Sequence, residues 1–303
     1  MTDEPFIDIH THVYPEARIA IQAMGGAARA GFTGTPEELV PFMAENGIEA
    51  VAMCNFTPIA DMIAAARARL PEWLSAGERQ DAEAEIRQRM AFRVRERNGW
   101  SCRVSAAHPA LSTFIGVDPV LAPDEMEAEV EVRYRAGARG IKLHPPVQRV
   151  ALDDPRLRPA LAAAQRLGMI VLTHMGPFGN ISGAYATTAQ AAAVAETFPR
   201  LQLVLAHCAG PDFDAAVALA EQYPQLVFDC CGVASGTPGG RNLSDEQLVA
   251  LFRRLGTNRV AFGSDWCFRD PRPDVQRIKG LGLTRAEERA ILHDTAARLL
   301  GLS

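Results

Sequence analysis

The sequence predicts an α/β fold, a (β/α)8 TIM barrel with a helical insertion after strand 2. Three observations carry that prediction. Short apolar runs alternate with helical stretches along the chain, which implies a parallel sheet. Counting the runs gives eight strands, each followed by helix, and eight such units close into a barrel. Isolated polar residues also fall at the C-terminal ends of the runs, which a barrel brings together on one face. An open doubly wound sheet is the competing fold. It would usually begin with a Gly-rich phosphate loop after the first strand, a place taken here by His10-Thr11-His12.

The elements follow in order. Phe6 to His10 reads as a short buried strand, and residues 14–34 as a loop or short helix over its end. Thr35-Pro36-Glu37-Glu38 opens a helix with an N-cap, a first-turn proline and two acids at its positive end. That helix stops near Asn46-Gly47, and Glu49 to Asn55 is the second strand. Residues 58–99 are rich in Ala, Arg and Glu and read as a helical insertion outside the barrel, over the pocket or at a subunit contact. Its face of Ala64, Ala65 and Ala68 is expected to be buried and its charged face solvated. Strands then follow at 111–118, 140–143, 169–174, 201–207, 226–230 and 260–263. Helices alternate with them at 124–136, 155–168, 188–198, 211–223, 244–255, 271–280 and 284–300. Ser244 with Gln247, and Thr284 with Glu287, match capping boxes.

Composition bounds the rest. The 303 residues fit one barrel domain, 1–303, with 48% apolar and 22% charged residues. A net charge of -5 gives no reason to expect nucleic-acid binding, and the basic stretch Arg87 to Arg97 reads as a solvated helix face. No apolar run is long enough to span a membrane and no signal-like N-terminus is evident, so the expected location is cytoplasmic. The six cysteines lack CxxC spacing and read as reduced, small buried residues.

Polar strand ends carry the chemistry. His10 and His12 lie two apart on one strand, so both imidazoles face the same way. Asn55, Asp118, Lys142, His144, His174, His207, Asp229 and Asp265 also follow apolar runs. A lone histidine there is more often a satisfied core residue, but that reading does not predict that all of them share one end of a barrel. His10, His12, His174 and Asp265 together give three imidazoles and a carboxylate. This set suits Zn, Mn or Fe and leaves a position for water. His207 could join them, or stand one step back and act on water or substrate.

The segments IDIHTH (7–12), GIKLHP (140–145), LTHMG (172–176), LAHCAG (205–210), FGSDW (262–266) and HDTAARLLGL (293–302) resemble the amidohydrolase superfamily. The likeness is to its amidohydrolase-2 branch, which includes aminocarboxymuconate semialdehyde decarboxylase, aromatic acid decarboxylases and lactone hydrolases. One departure is Thr295, where that branch commonly has Asn. The resemblance implies one divalent metal, zinc first and manganese or iron next, on His10, His12, His174 and Asp265, with His207 as a second catalytic histidine. It leaves Lys142 open: carboxylated and bridging two metals, or an ammonium that binds substrate. The related metal-dependent deoxyribonucleases place a Glu near that position and need a phosphate-friendly cleft, which the acidic balance here does not favour.

The expected activity is hydrolysis of a small carboxylate-, lactone- or amide-containing substrate by metal-activated water, with Asp265 as base. The alternative is non-oxidative, metal-dependent decarboxylation of an aromatic or unsaturated acid. Lys142, His144 and Trp266 are the expected substrate contacts. Tyr14, Phe178 and Tyr185 suit a planar ligand, and Arg149, Arg241 and Arg269 could hold a carboxylate. A homodimer is the expected assembly.

Overall fold

The computed structural model describes residues 4–234 and 242–302. Eight parallel strands follow the chain in order: β1 (Phe6–Thr11), β2 (Ile48–Cys54), β3 (Leu111–Gly116), β4 (Gly140–Leu143), β5 (Ile170–Thr173), β6 (Gln202–Leu205), β7 (Val227–Asp229) and β8 (Val260–Ala261). Each pairs with the next. The ring is drawn together where the Ile9 N–H donates to the Phe262 carbonyl (3.0 Å) and the Asp265 N–H to the His10 carbonyl (2.8 Å). The fold is a nearly closed (β/α)8 barrel, as the alternation predicts. Several strands end before the polar residue that their apolar run leads into. Asp118, His174, His207 and Asp265 all lie in the connecting segments, free to leave the sheet plane.

Alternation along the strands divides the core in two. Val51, Ile115, Ile141, Val171, Leu203 and Phe228 face the helices. Ala50, Ala52, Phe114, Leu172, Val204 and Ala261 face the barrel interior, joined by Ala296 and Leu300 of the C-terminal helix Thr295–Leu300. The interior is tight at Gly140. A Cβ there would lie 2.9 Å from the Ile170 carbonyl oxygen and 2.9 Å from the Phe114 ring.

The helices begin and end where their capping chemistry puts them. Gly47 closes the helix Pro36–Asn46 in the left-handed region, at φ 69°. The capping boxes at Ser244/Gln247 and Thr284/Glu287 both form. The 58–99 segment differs from its sequence reading. Ile59–Arg67 is a short helix, but the next one, Ala76–Ala107, runs straight through Gly99. Ile86, Met90, Val94 and Cys102 bury the helix from Ile86 onward against the barrel, where the Thr113 hydroxyl of β3 donates to the Ser101 carbonyl. That part is the ordinary crossover between β2 and β3, so only the first turns, 76–85, and the short helix stand away from the sheet. Ala64, Ala65 and Ala68 are exposed, not buried; Ile59, Met62 and Ile63 make the packed face instead. No helix among the described residues is long and apolar enough to cross a membrane.

Gly140→Ala should destabilise the barrel by roughly 1–3 kcal/mol, because the new methyl meets backbone as well as ring and cannot be relieved by one rotamer change. Urea unfolding monitored by circular dichroism measures this, and an unchanged midpoint would contradict the packing described.

Candidate metal centre

The site begins with an irregularity in β1. Asp8 pairs with Val51 and Thr11 with Met53, so three residues of β1 advance against two of β2. Before this bulge, Ile7 and Ile9 belong to the interior cluster, and the Asp8 carboxylate accepts from the Ser264 hydroxyl (2.5 Å) and the Ser264 and His10 N–H groups. After it, His10 and His12 turn to the mouth. β8 approaches closely because Gly263 has no side chain: a Cβ there would lie 2.8 Å from the His10 Cβ.

Partners behind the rings set the protons. His10 donates from Nδ1 to Asp229 Oδ2 at 2.9 Å. His12 donates from Nδ1 to the Cys54 carbonyl at 3.0 Å. These tautomers are assigned from the shorter contacts, 2.9 and 3.0 Å behind the rings against 3.2 Å to Asp265 in front, since every one of these partners can only accept. Both Nε2 lone pairs then point forward, each 3.2 Å from Asp265 Oδ1. Burial and the Lys142 charge push His10 down to about 4, so its ring is neutral near pH 7. Burial alone would raise Asp265, but the imidazoles around it, His10 first and then His12 and His207, hold it well below the usual carboxylate range. Three acceptors therefore converge with no proton of their own between them, only His10 Nε2 meeting an outside donor in Lys142, and a divalent cation is a group that satisfies such a set.

A second acceptor pair lies beside the first. His207 Nδ1 is 2.9 Å from the Cys231 carbonyl, and His174 Nε2 is 3.3 Å from the Pro177 carbonyl. The remaining nitrogens, His207 Nε2 and His174 Nδ1, face each other at 3.0 Å. His174 is held well below its ordinary value, first by burial and then by His207. Val204 and Ala206 face the barrel interior, so an extended His207 would face the helices. Instead His207, Cys208 and Ala209 all have positive φ (57°, 50° and 66°), which re-aims the ring into the mouth. Asp265 is likewise turned by a φ of 64°.

The structure brings His10, His12, His174, His207, Lys142 and Asp265 together, as their strand-end positions predict. The Lys142 Nζ is fully buried, 2.6 Å from His10 Nε2, and lends that lone pair a positive charge. His144 stacks on His174 with ring centres 4.1 Å apart and planes 10° apart, and its Nδ1 has no hydrogen-bond partner. Phe56 and Phe178 pack against His144, and Phe56 and Phe268 meet His12 edge-on.

Trp266 does not join them. Its indole is buried (1% exposed) against Phe32 and Phe42, because the residue after the left-handed Asp265 points back into the core. Phe268, two residues on, supplies the ring at the site. Tyr14 is buried under the Arg97 guanidinium, which donates to the Val13 carbonyl and stacks over Trp100, so Arg97 is not on a solvated face. Arg149 pairs with Asp61, and Arg241 lies outside the described residues. Phe56, Phe268 and the orienting role of Asp229 were not singled out from sequence. Asp229 stands among the polar residues that follow apolar runs, but nothing in the sequence shows that it faces the back of the His10 ring.

The sequence matches the family model for amidohydrolases (Amidohydro_2) over residues 7–302. The chain belongs to the amidohydrolase family. Searched against curated proteins, it finds no match. Among solved structures this amidohydrolase is similar to 2,6-dihydroxybenzoate decarboxylase from Rhizobium (TM-score 0.69, 15% identity, 99% of each chain). It is also similar to dihydroxybenzoic acid decarboxylase from Polaromonas sp. JS666 with bound manganese and 2-nitroresorcinol (0.71, 14%, 99% of this chain and 97% of that). A third is 5-carboxyvanillate decarboxylase from Sphingomonas paucimobilis (0.68, 16%, 99% of each). At these identities the likeness establishes the shared fold.

Asp229→Ala removes the acceptor that holds the His10 proton on Nδ1. Divalent-metal affinity should fall by roughly 10–100-fold, measured by chelator competition, while the barrel stays folded. An unchanged affinity would contradict the tautomer argument.

Proposed function

We propose that this amidohydrolase is a metal-dependent, non-oxidative decarboxylase of an aromatic or unsaturated acid. The observation that carries this reading is the ring-lined wall beside the converging acceptors. His144 stacked on His174, with Phe56, Phe178 and Phe268 around them, suits a flat conjugated substrate better than a flexible one. The three structural neighbours, all decarboxylases of aromatic acids by name, add support for this over the hydrolysis expected from sequence.

His10, His12, His174 and Asp265 would hold one divalent ion, which when bound supplies a positive charge to fix the substrate's carboxylate. Lys142 offers a second cationic contact from the end of β4. Phe56, Phe178 and Phe268 keep water from the ring plane. Asp265, whose side chain is 25% exposed while that of His10 is 1%, stands at the open side and carries the proton. His207 keeps its Nε2 toward the reacting group because its Nδ1 is committed to the Cys231 carbonyl. The bond from the substrate carbon to its carboxyl carbon breaks, CO2 leaves, and the carbon takes one proton drawn from solvent.

The metal-loaded protein, given a panel of aromatic and unsaturated acids in D2O, should release CO2 and place one deuterium on the product carbon. In oxygen-18 water the organic product should stay unlabelled. Product carrying oxygen-18 without CO2 release would overturn decarboxylation in favour of hydrolysis.

Two variants separate the roles of the proposed groups. Asp265→Asn should retain part of the metal but lose turnover by roughly 10²–10⁴-fold, as loss of a general acid–base group does. His207→Asn should keep nearly all the metal and also lose rate. Near-normal turnover in Asp265→Asn would move the proton-carrying role to His207.

A further inference from the structure

Cys231 follows β7 and is fully buried, yet it does not sit in the packing between strands and helices. Its Sγ, a ring nitrogen of His10 and a carboxylate oxygen of Asp265 all lie within 4.8 Å of one another. Its backbone is pinned: the Cys231 N–H donates to Asp229 Oδ1 (2.9 Å), and its carbonyl faces His207 Nδ1. The other cysteines are placed differently. Cys54 directs its thiol to the Ile9 carbonyl, and Cys208, Cys230 and Cys267 pack in the outer core.

We infer that the Cys231 sulfur is a ligand of the metal centre, added to His10, His12, His174 and Asp265, and that it biases the site toward thiophilic divalent ions such as zinc and cobalt over manganese. This rests on the metal site proposed above. The chemistry is that of ligand softness: a thiolate binds zinc or cobalt well and manganese poorly, whereas imidazole and carboxylate alone discriminate less. Charge agrees, since one thiolate and one carboxylate balance a divalent ion. On binding, the S–H bond gives up its proton to solvent and the sulfur–metal bond forms. No residue within the other predicted ligand set supplies a soft donor.

The test uses the full-length, metal-depleted protein loaded with cobalt(II) alone, with cobalt per chain measured by elemental analysis. One cobalt per chain and a near-ultraviolet thiolate-to-cobalt charge-transfer band are expected. Cys231→Ser and Cys231→Ala should keep cobalt and lose the band, while Cys230→Ser should keep both. Cys231→Ser should also weaken zinc by roughly 10–100-fold and leave manganese affinity nearly unchanged. Bound cobalt without the band in the wild type, or a band that persists in both Cys231 variants, would overturn the inference and leave the metal site standing. Failure of the wild type to bind cobalt, zinc or manganese would overturn the metal site itself, and this inference with it.

Discussion

Two hydrogen bonds behind the β1 histidines decide what this barrel can do. Asp229 takes the Nδ1 proton of His10, and the Cys54 carbonyl takes that of His12. With those protons facing backward, both forward nitrogens are acceptors aimed at a carboxylate, that of His10 also facing the Lys142 Nζ. Acceptors 3.2 Å apart repel unless a positive charge stands among them. The Lys142 ammonium supplies some of that charge at His10, and His12 and Asp265 still ask for more. The same logic recurs at His174 and His207, whose other nitrogens are occupied by carbonyls.

The barrel delivers these groups by bending its own rules at three places. A bulge in β1 changes which face the strand presents, so an interior of Ile7 and Ile9 gives way to His10 and His12. Left-handed backbone at His207 and Asp265 turns two side chains that extended strands would point elsewhere. Gly263 lets β8 close against His10. Left-handed conformations in non-glycine residues are costly, and the surrounding bonds hold them. The His207 N–H donates to Asp229, and the Asp265 N–H to the His10 carbonyl. Asp229 thus serves the ring of one histidine and the backbone of another.

Much of this was legible before the structure. Period and punctuation located eight strands, because apolar runs bounded by Gly and Pro leave few alternatives, and the capping boxes marked helix starts by chemistry that is local. The convergence of His10, His12, His174, His207 and Asp265 followed from topology alone. What was hidden depends on long-range or backbone detail. The fate of Trp266 turned on the φ of its neighbour, and side-chain alternation cannot report a positive φ. The helix Ala76–Ala107 looked like an insertion because its first turns are polar on all sides, and only its seat against β3 marks the rest as barrel. Cys231 read as packing because nothing local distinguishes a thiol facing helices from one facing a carboxylate.

The central claim is that His10, His12 and Asp265 close on a single divalent ion. Anomalous diffraction from crystals of the metal-loaded protein tests it most directly. The account predicts one anomalous peak per chain within bonding distance of His10 Nε2, His12 Nε2 and Asp265 Oδ1, about 2.0–2.2 Å for zinc. A peak bound to other residues, or loaded protein whose histidine nitrogens carry no ion, would contradict it.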